Sequence, residues 1–153
     1  MDHRVLWIEE EGDDLSYYAA PLLLAGYAVD IAHSVTEAIA RLQEDVYDVV
    51  ICDLLLNAGQ SPEWQKLDSE IGEQRKELYL GLHFLRAVFS SDRARVALDG
   101  ASMSISPDRV AVFTVVSDPD VHDELREMGV AKIKVKGRSH LAILKEIAEE
   151  ILV

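Results

Sequence analysis

Apolar residues in this chain follow two rhythms. Arg4–Ile8, Ala28–Ala32, Val49–Cys52, Val110–Phe113 and Val130–Val135 are short and rich in apolar and β-branched residues. The central runs, Val49–Cys52 and Val110–Phe113, show no alternation, which is the pattern of strands covered on both faces in a parallel sheet. Between the strands, apolar positions recur at helical spacing. Leu15–Ala25 reads as a helix, with Pro21 in conflict because it removes a backbone donor. Ser34-Val35-Thr36-Glu37 is a capping box,, and Val35, Ala38, Ile39 and Leu42 then share one face. Ser117-Asp118-Pro119 opens a later helix that Gly129 closes, and Ser139 caps a last one with Leu141, Leu144, Ile147 and Ile151 on its apolar face. Strand and helix alternate with short connections, which implies right-handed crossovers and a parallel sheet.

After Leu56 the alternation breaks. Asn57–Gln60 is a loop, and Ser61-Pro62-Glu63 starts a helix with proline in its first turn,. Trp64, Leu67, Ile71, Leu78, Leu82 and Leu85 lie at helix-like intervals, which predicts two helical pieces, the second centred on Leu82–Phe89. Further on, Asp99-Gly100 between short alternating segments is a hairpin signal,; an irregular loop fits the stretch nearly as well.

Composition narrows the function. A chain of 153 residues, 49% hydrophobic and 28% charged, suits one globular domain,. A formal net charge of -13 leaves no basic stripe to replace phosphate counterions, which argues against nucleic-acid binding,. It suits a basic partner face or a cation site, though solubility explains it equally well. The single cysteine, Cys52, lies inside the central strand and reads as a packing residue,. No apolar run reaches the length of a membrane span, and Met1–Arg4 has no signal-peptide character, so a cytoplasmic location is expected,.

The candidate chemistry stands at the strand ends. Glu9 and Glu10 follow the first strand, Asp53 the third, Thr114 the fourth and Lys136 the fifth. In a parallel sheet these ends converge on the edge where open α/β sheets carry their sites. Taken singly, Asp53 also reads as a loop-opening cap, Thr114 as a turn residue, Lys136 as a solvated cation and Glu9–Glu11 as a solvated acidic turn,. Clustered together, the carboxylates would repel unless an ammonium or a cation neutralised them. A hard divalent ion held by one or two carboxylates, water and a phosphate oxygen fits such a cluster.

With these residues in this order, the sequence resembles the receiver domain of two-component response regulators. Val5–Glu11 matches that family's first strand and acidic pair, Asp53 in Asp53–Leu56 matches its phosphoacceptor, and the interval from Thr114 to Lys136 matches that between its strand-four hydroxyl and strand-five lysine. The resemblance implies a doubly wound α/β fold with a five-stranded parallel sheet, flavodoxin-like, in strand order 2-1-3-4-5. It covers residues 1–153 as a single domain, apart from insertions at about 58–80, an extra helical piece after strand three, and about 92–106. It implies a stand-alone regulator phosphorylated on Asp53 in a Mg2+-dependent phosphorelay, with a histidine kinase or phosphotransfer protein as donor and an output protein as partner. Any catalysis is then self-catalysed phosphoryl transfer from a phospho-histidine. Glu10, Asp53 and the backbone carbonyl of Leu55 would ligate Mg2+, with Glu9 behind them. Lys136 would pair with Asp53 and then with the phosphoryl group, and Thr114 would report the new charge.

The departures also carry information. The acidic pair is Glu-Glu where the family uses at least one Asp, which points to weak Mg2+ affinity, since Mg2+ tolerates little geometric error. Gly137 replaces the proline after the lysine, Ile133 stands at the aromatic switch position, and Asn57 stands where proline is favoured. Leu55 and Val116 occupy the positions that tune hydrolysis, and neither can hold an attacking water, so slow self-dephosphorylation is expected. The first insertion is expected to form a helical arm, anchored by Trp64 and Tyr79, that lids the site or builds a partner or homodimer surface. The alternative is a degenerate receiver, an interaction module that works without phosphate. A nucleotide or flavin module is unlike this sequence, since Glu9–Asp14 lacks a Gly-rich cradle,.

Overall fold

A computed structural model describes residues 3–74, 79–89, 103, 105–137 and 140–153. Strands β1 (Arg4–Ile8), β2 (Ala28–Ala32), β3 (Val49–Cys52), β4 (Val110–Thr114) and β5 (Lys132–Val135) form one sheet. All its pairs are parallel, in the order β2-β1-β3-β4-β5. The helices are α1 (Ala20–Leu24), α2 (Val35–Glu44), α3 (Pro62–Gln74), α4 (Leu80–Phe89), α5 (Pro119–Met128) and α6 (Ile143–Leu152). The chain therefore has the doubly wound, flavodoxin-like topology, with α3 as an extra helix after β3.

The unalternating runs are buried because the sheet has a core on each face. Leu6, Ile8, Val50, Cys52, Val110 and Val112 face one core, shared with α2, α4 and α5. Val5, Trp7, Val49, Ile51, Ala111 and Phe113 face the other, against α1 and α6. Each side chain flips with the strand period, and each finds apolar cover on its own side. The edge strand β5 is only half buried.

Local chemistry sets most element ends. Ser34 Oγ accepts from Glu37 N–H at 3.1 Å, while the Glu37 carboxylate accepts from His33 N–H at 2.7 Å. The second half of the capping box thus closes one residue earlier than the motif predicts. Asp118 caps α5, and Gly129 ends it at φ 92°, a left-handed conformation that favours glycine,. The helix expected from Leu15 begins late: a single 3-10 turn, Ser16–Tyr18, precedes α1. Pro21 then falls in the first turn of α1, where its missing donor costs nothing,. Strand β5 starts at Lys132 because Val130 N–H is still engaged in closing α5, on Leu125 O at 3.2 Å.

Three expectations need correction or lie elsewhere. The last helix starts at Ile143 after Ala142, which provides no side-chain cap, and Leu141 is exposed before it. The expected cap Ser139 lies outside the described residues. So does the Asp99-Gly100 hairpin, with most of the second insertion. The first insertion does form a helix, but Trp64 does not present itself to a partner. It is fully buried and meets Phe84 of α4 edge-on, with ring centroids 6.3 Å apart. A bulky aromatic in an amphipathic helix gains more by joining the core than by standing in water. Arg86 of α4 pairs with Glu124 of α5 through both guanidinium nitrogens facing it, Nη2 at 2.6 Å, tying the helix against which Trp64 packs to its neighbour in the regular fold.

Truncating this anchor should be felt by the whole domain. Trp64→Ala is expected to cost about 3–5 kcal/mol in urea unfolding followed by circular dichroism. An unchanged midpoint would mean that the insertion is energetically separate from the fold.

Candidate functional site

Strand register brings the site together. Ile8 of β1 pairs with Cys52 of β3, so Glu9 and Asp53 stand side by side one step beyond the ladder. Asp53 N–H donates to Ile8 O at 3.0 Å, and Glu9 N–H to Ala32 O at 2.9 Å. Thr114 of β4 pairs with Val135 of β5, and Lys136 N–H donates to Thr114 O at 2.6 Å. Lys136 thereby leaves β5 pointing back over the sheet edge, its ammonium 5.5 Å from the centroid of the Phe113 ring,.

Lys136 Nζ donates to Glu9 Oε1 and, at 2.9 Å, to Asp53 Oδ2. Both carboxylates are almost wholly buried, with Glu9 3% and Asp53 4% exposed. The second oxygen of Asp53 is also held: Oδ1 accepts from Leu54 N–H at 2.7 Å and from Leu55 N–H at 3.2 Å. A carboxylate gripped on one oxygen by two amides and on the other by an ammonium has a fixed orientation. Glu9 Oε2 accepts from Glu11 N–H at 3.3 Å. Thr114 is fully buried, and its hydroxyl oxygen accepts from Val116 N–H at 3.3 Å.

The helix after the insertion comes up against the same edge. Gly81 N–H donates to Leu54 O at 3.0 Å, and a Cβ at Gly81 would stand 2.3 Å from Asp53 O and 2.6 Å from Leu54 Cα. Only glycine lets α4 start so close to the end of β3.

Burial sets the electrostatics. Desolvation pushes the Glu9 carboxyl above its ordinary 4.5; the Lys136 hydrogen bond opposes the rise, and the charge of Asp53 adds to it,. For Lys136, desolvation works against the charge, but hydrogen bonds to Glu9 and Asp53 and their fields outweigh it and hold the ammonium above its ordinary 10.5. Cys52 is raised well above its ordinary value, first by burial and then by the charges of Asp53 and Glu9. That makes it a poor nucleophile and a packing residue.

Of the residues singled out from the sequence, Glu9, Asp53 and Lys136 are in direct contact, and Thr114 joins them through its backbone. Glu10 is not in that contact. It is exposed, and Asn57 Nδ2 donates to its Oε1 at 3.1 Å. The Leu55 side chain is 39% exposed at the rim, while Val116 is buried. Ile133 is half buried against the core face that holds α4 and α5. Sequence reasoning noticed Asn57 only as the residue in place of a proline. A helical or strand period carries no sign that its amide would reach across to the loop after β1.

The donor set suits a hard divalent ion. It is made of oxygens only, it carries more negative charge than Lys136 cancels, and Mg2+ asks for just one or two protein carboxylates beside water. Among the described residues no three of the His, Cys, Asp and Glu side chains form a ready-made cage. An ion here would rest on Glu10 and Asp53.

No family model matches the sequence, and no curated protein matches it either. Solved structures do match in shape. The chemotaxis response regulator CheY4 of Vibrio cholerae superposes with a TM-score of 0.61 at 19% identity, covering 98% of this chain and 99% of that one. The receiver domain of Klebsiella pneumoniae RstA, in its BeF3-activated form, gives 0.63 at 13% identity, covering 97% and 98%. A response regulator from Thermotoga maritima gives 0.60 at 18% identity, covering 99% and 98%. The chain thus has the fold of response regulator receiver domains. Among the described residues no helix is long and apolar enough to cross a membrane.

The raised Glu9 carboxyl has a pH signature. Because folding raises its affinity for a proton, its contribution to stability is full below about pH 4.5 and declines as pH rises from there,. Urea unfolding across pH should show the stability of the wild-type chain falling relative to Glu9→Gln above that point. A difference that stays flat, or rises, would mean that Glu9 is not held against its charge. Lys136, also raised, should lose its contribution only above about pH 10.5.

Proposed function

We propose that this chain is a receiver-type signalling domain that accepts a phosphoryl group on Asp53. The observation that carries this reading is the Lys136 ammonium shared by Glu9 and Asp53 at the ends of three strands. A carboxylate attacking a phosphoryl group faces charge repulsion, and catalysis is mostly positioning and neutralisation of the phosphoryl oxygens. Asp53 is positioned by the Leu54 and Leu55 amides, and Lys136 is already beside it.

In the reaction, an Asp53 oxygen forms the new O–P bond as the N–P bond of a phospho-histidine breaks. The imidazole leaves, taking up a proton. Bound to Glu10 and Asp53, Mg2+ would supply the remaining positive charge. Lys136 would pass from the Asp53 carboxylate to a phosphoryl oxygen. Thr114 would exchange its bond with Val116 N–H for one in which its hydroxyl donates to the phosphoryl group, carrying the change into the loop after β4. The donor would be a histidine kinase or phosphotransfer protein, and the output a protein that reads the altered surface. Leu55 and Val116, with no group to hold a water, would keep the acyl phosphate long-lived.

Incubation with acetyl phosphate and Mg2+ should add one phosphoryl mass to the intact chain, labile to hydroxylamine. Asp53→Asn should abolish it, and Lys136→Ala should slow it by roughly 100-fold, the scale of removing one preorganised electrostatic contact. If neither acetyl phosphate nor beryllofluoride with Mg2+ changes the protein, the phosphate-independent interaction module is the better account.

A further inference from the structure

Glu10 is the one acidic residue of the site that is neither buried nor bound to Lys136, and its carboxylate is held by a single side chain. Asn57 Nδ2 donates to Glu10 Oε1 at 3.1 Å and to the carbonyl of His33 at 3.0 Å. Both neighbours are pure acceptors, so the NH2 end of the amide must face them, and both of its protons are used.

The Asn57 backbone is anchored as well. Its carbonyl accepts from Val35 N–H at 3.0 Å at the start of α2, and the next carbonyl, of Ala58, accepts from Thr36 N–H at 3.0 Å. Thr36 Oγ1 also donates to Ala58 O at 2.5 Å and accepts from Ser61 N–H at 3.0 Å. Asn57 therefore reaches Glu10 from a loop pinned to α2 on one side and to β3 on the other. A proline here could keep the loop but would have no amide to offer.

We infer that Asn57 is a positioning residue for cation binding by Glu10, a role that rests on the reading of this edge as a Mg2+-dependent site. Asn57 takes one oxygen of the Glu10 carboxylate and fixes its plane, which leaves the other oxygen to serve as a single-point ligand. Carboxylate ligands are commonly hydrogen-bonded in turn, and losing that partner typically costs 10–100-fold in metal affinity. The device answers a specific difficulty. Glu has one more rotatable bond than Asp, so an unrestrained Glu10 would lose more freedom on binding an ion. The amide removes that freedom in advance.

The test is a double-mutant cycle read by calorimetric Mg2+ titration of the full chain, with thermal unfolding in chelator to verify that each variant folds. Asn57→Ala should weaken Mg2+ binding by about 10-fold. Glu10→Gln should weaken it at least as much. Adding Asn57→Ala to Glu10→Gln should then change little, because the amide acts through that carboxylate. Losses that simply add, or an Asn57→Ala variant that binds Mg2+ like the wild type, would overturn the role of Asn57 and leave the phosphoacceptor reading intact. A wild-type chain that binds no Mg2+ would overturn both.

Discussion

One ammonium holds the functional edge together. Lys136 is the cation that bridges the nearly buried Glu9 and Asp53 carboxylates. Two charges that close and that dry cannot both persist without a counter-ion, and burial of an unpaired carboxylate costs several kcal/mol. The pair is affordable only because the sheet delivers Lys136 from the far side of β4. Its backbone is locked to Thr114 and its side chain runs over Phe113. Register therefore does the work of electrostatics. A slip of one residue in β5 would turn Lys136 to the other face.

That dependence explains what could be read in the sequence. Asp53, Thr114 and Lys136 were legible because each follows an apolar run whose end is unambiguous, and parallel strands bring their ends to one edge. The sheet order followed from the same residues through the family resemblance. The burial of Glu9 against Lys136 was not legible from spacing, since adjacent residues in a strand-to-loop exit point opposite ways and only the turn decides which is buried. Glu9 N–H bonds to Ala32 O, which continues the sheet by one residue, and its side chain turns inward. The reach of the Asn57 amide was not legible for a related reason: its partners Glu10 and His33 follow two other strand ends, and no local period encodes such a meeting.

The insertion shows the same limit from another direction. Helical spacing announced α3 but could not say which face it would bury, because Trp64 suits a partner surface and a core equally well as a residue type. The core won. Phe84, on the next helix, meets the indole in a tilted, edge-type contact. The inserted helix is thus part of the sheet's apolar cover and does not stand away from it.

This has a consequence for how the edge can move. Gly81 brings the start of α4 to within bonding distance of Leu54, and no side chain cushions the approach. On its other side the loop after β3 is sealed to α2 by the Asn57 and Ala58 carbonyls. The strand end that carries Asp53 is therefore clamped between α2 and α4, and a close-packed clamp resists gradual deformation. The β4 end is built differently. Thr114 holds one long hydrogen bond to Val116 N–H, and the next residue, Val115, is exposed. Charge arriving at Asp53 would meet that clamp on one side and, on the other, the Thr114 hydroxyl, whose neighbour Val116 is itself buried and bonded through its carbonyl to His122 Nε2 at 2.8 Å. Of the groups facing Asp53 across the sheet edge, the Thr114 hydroxyl is the one that could change partner without moving a strand.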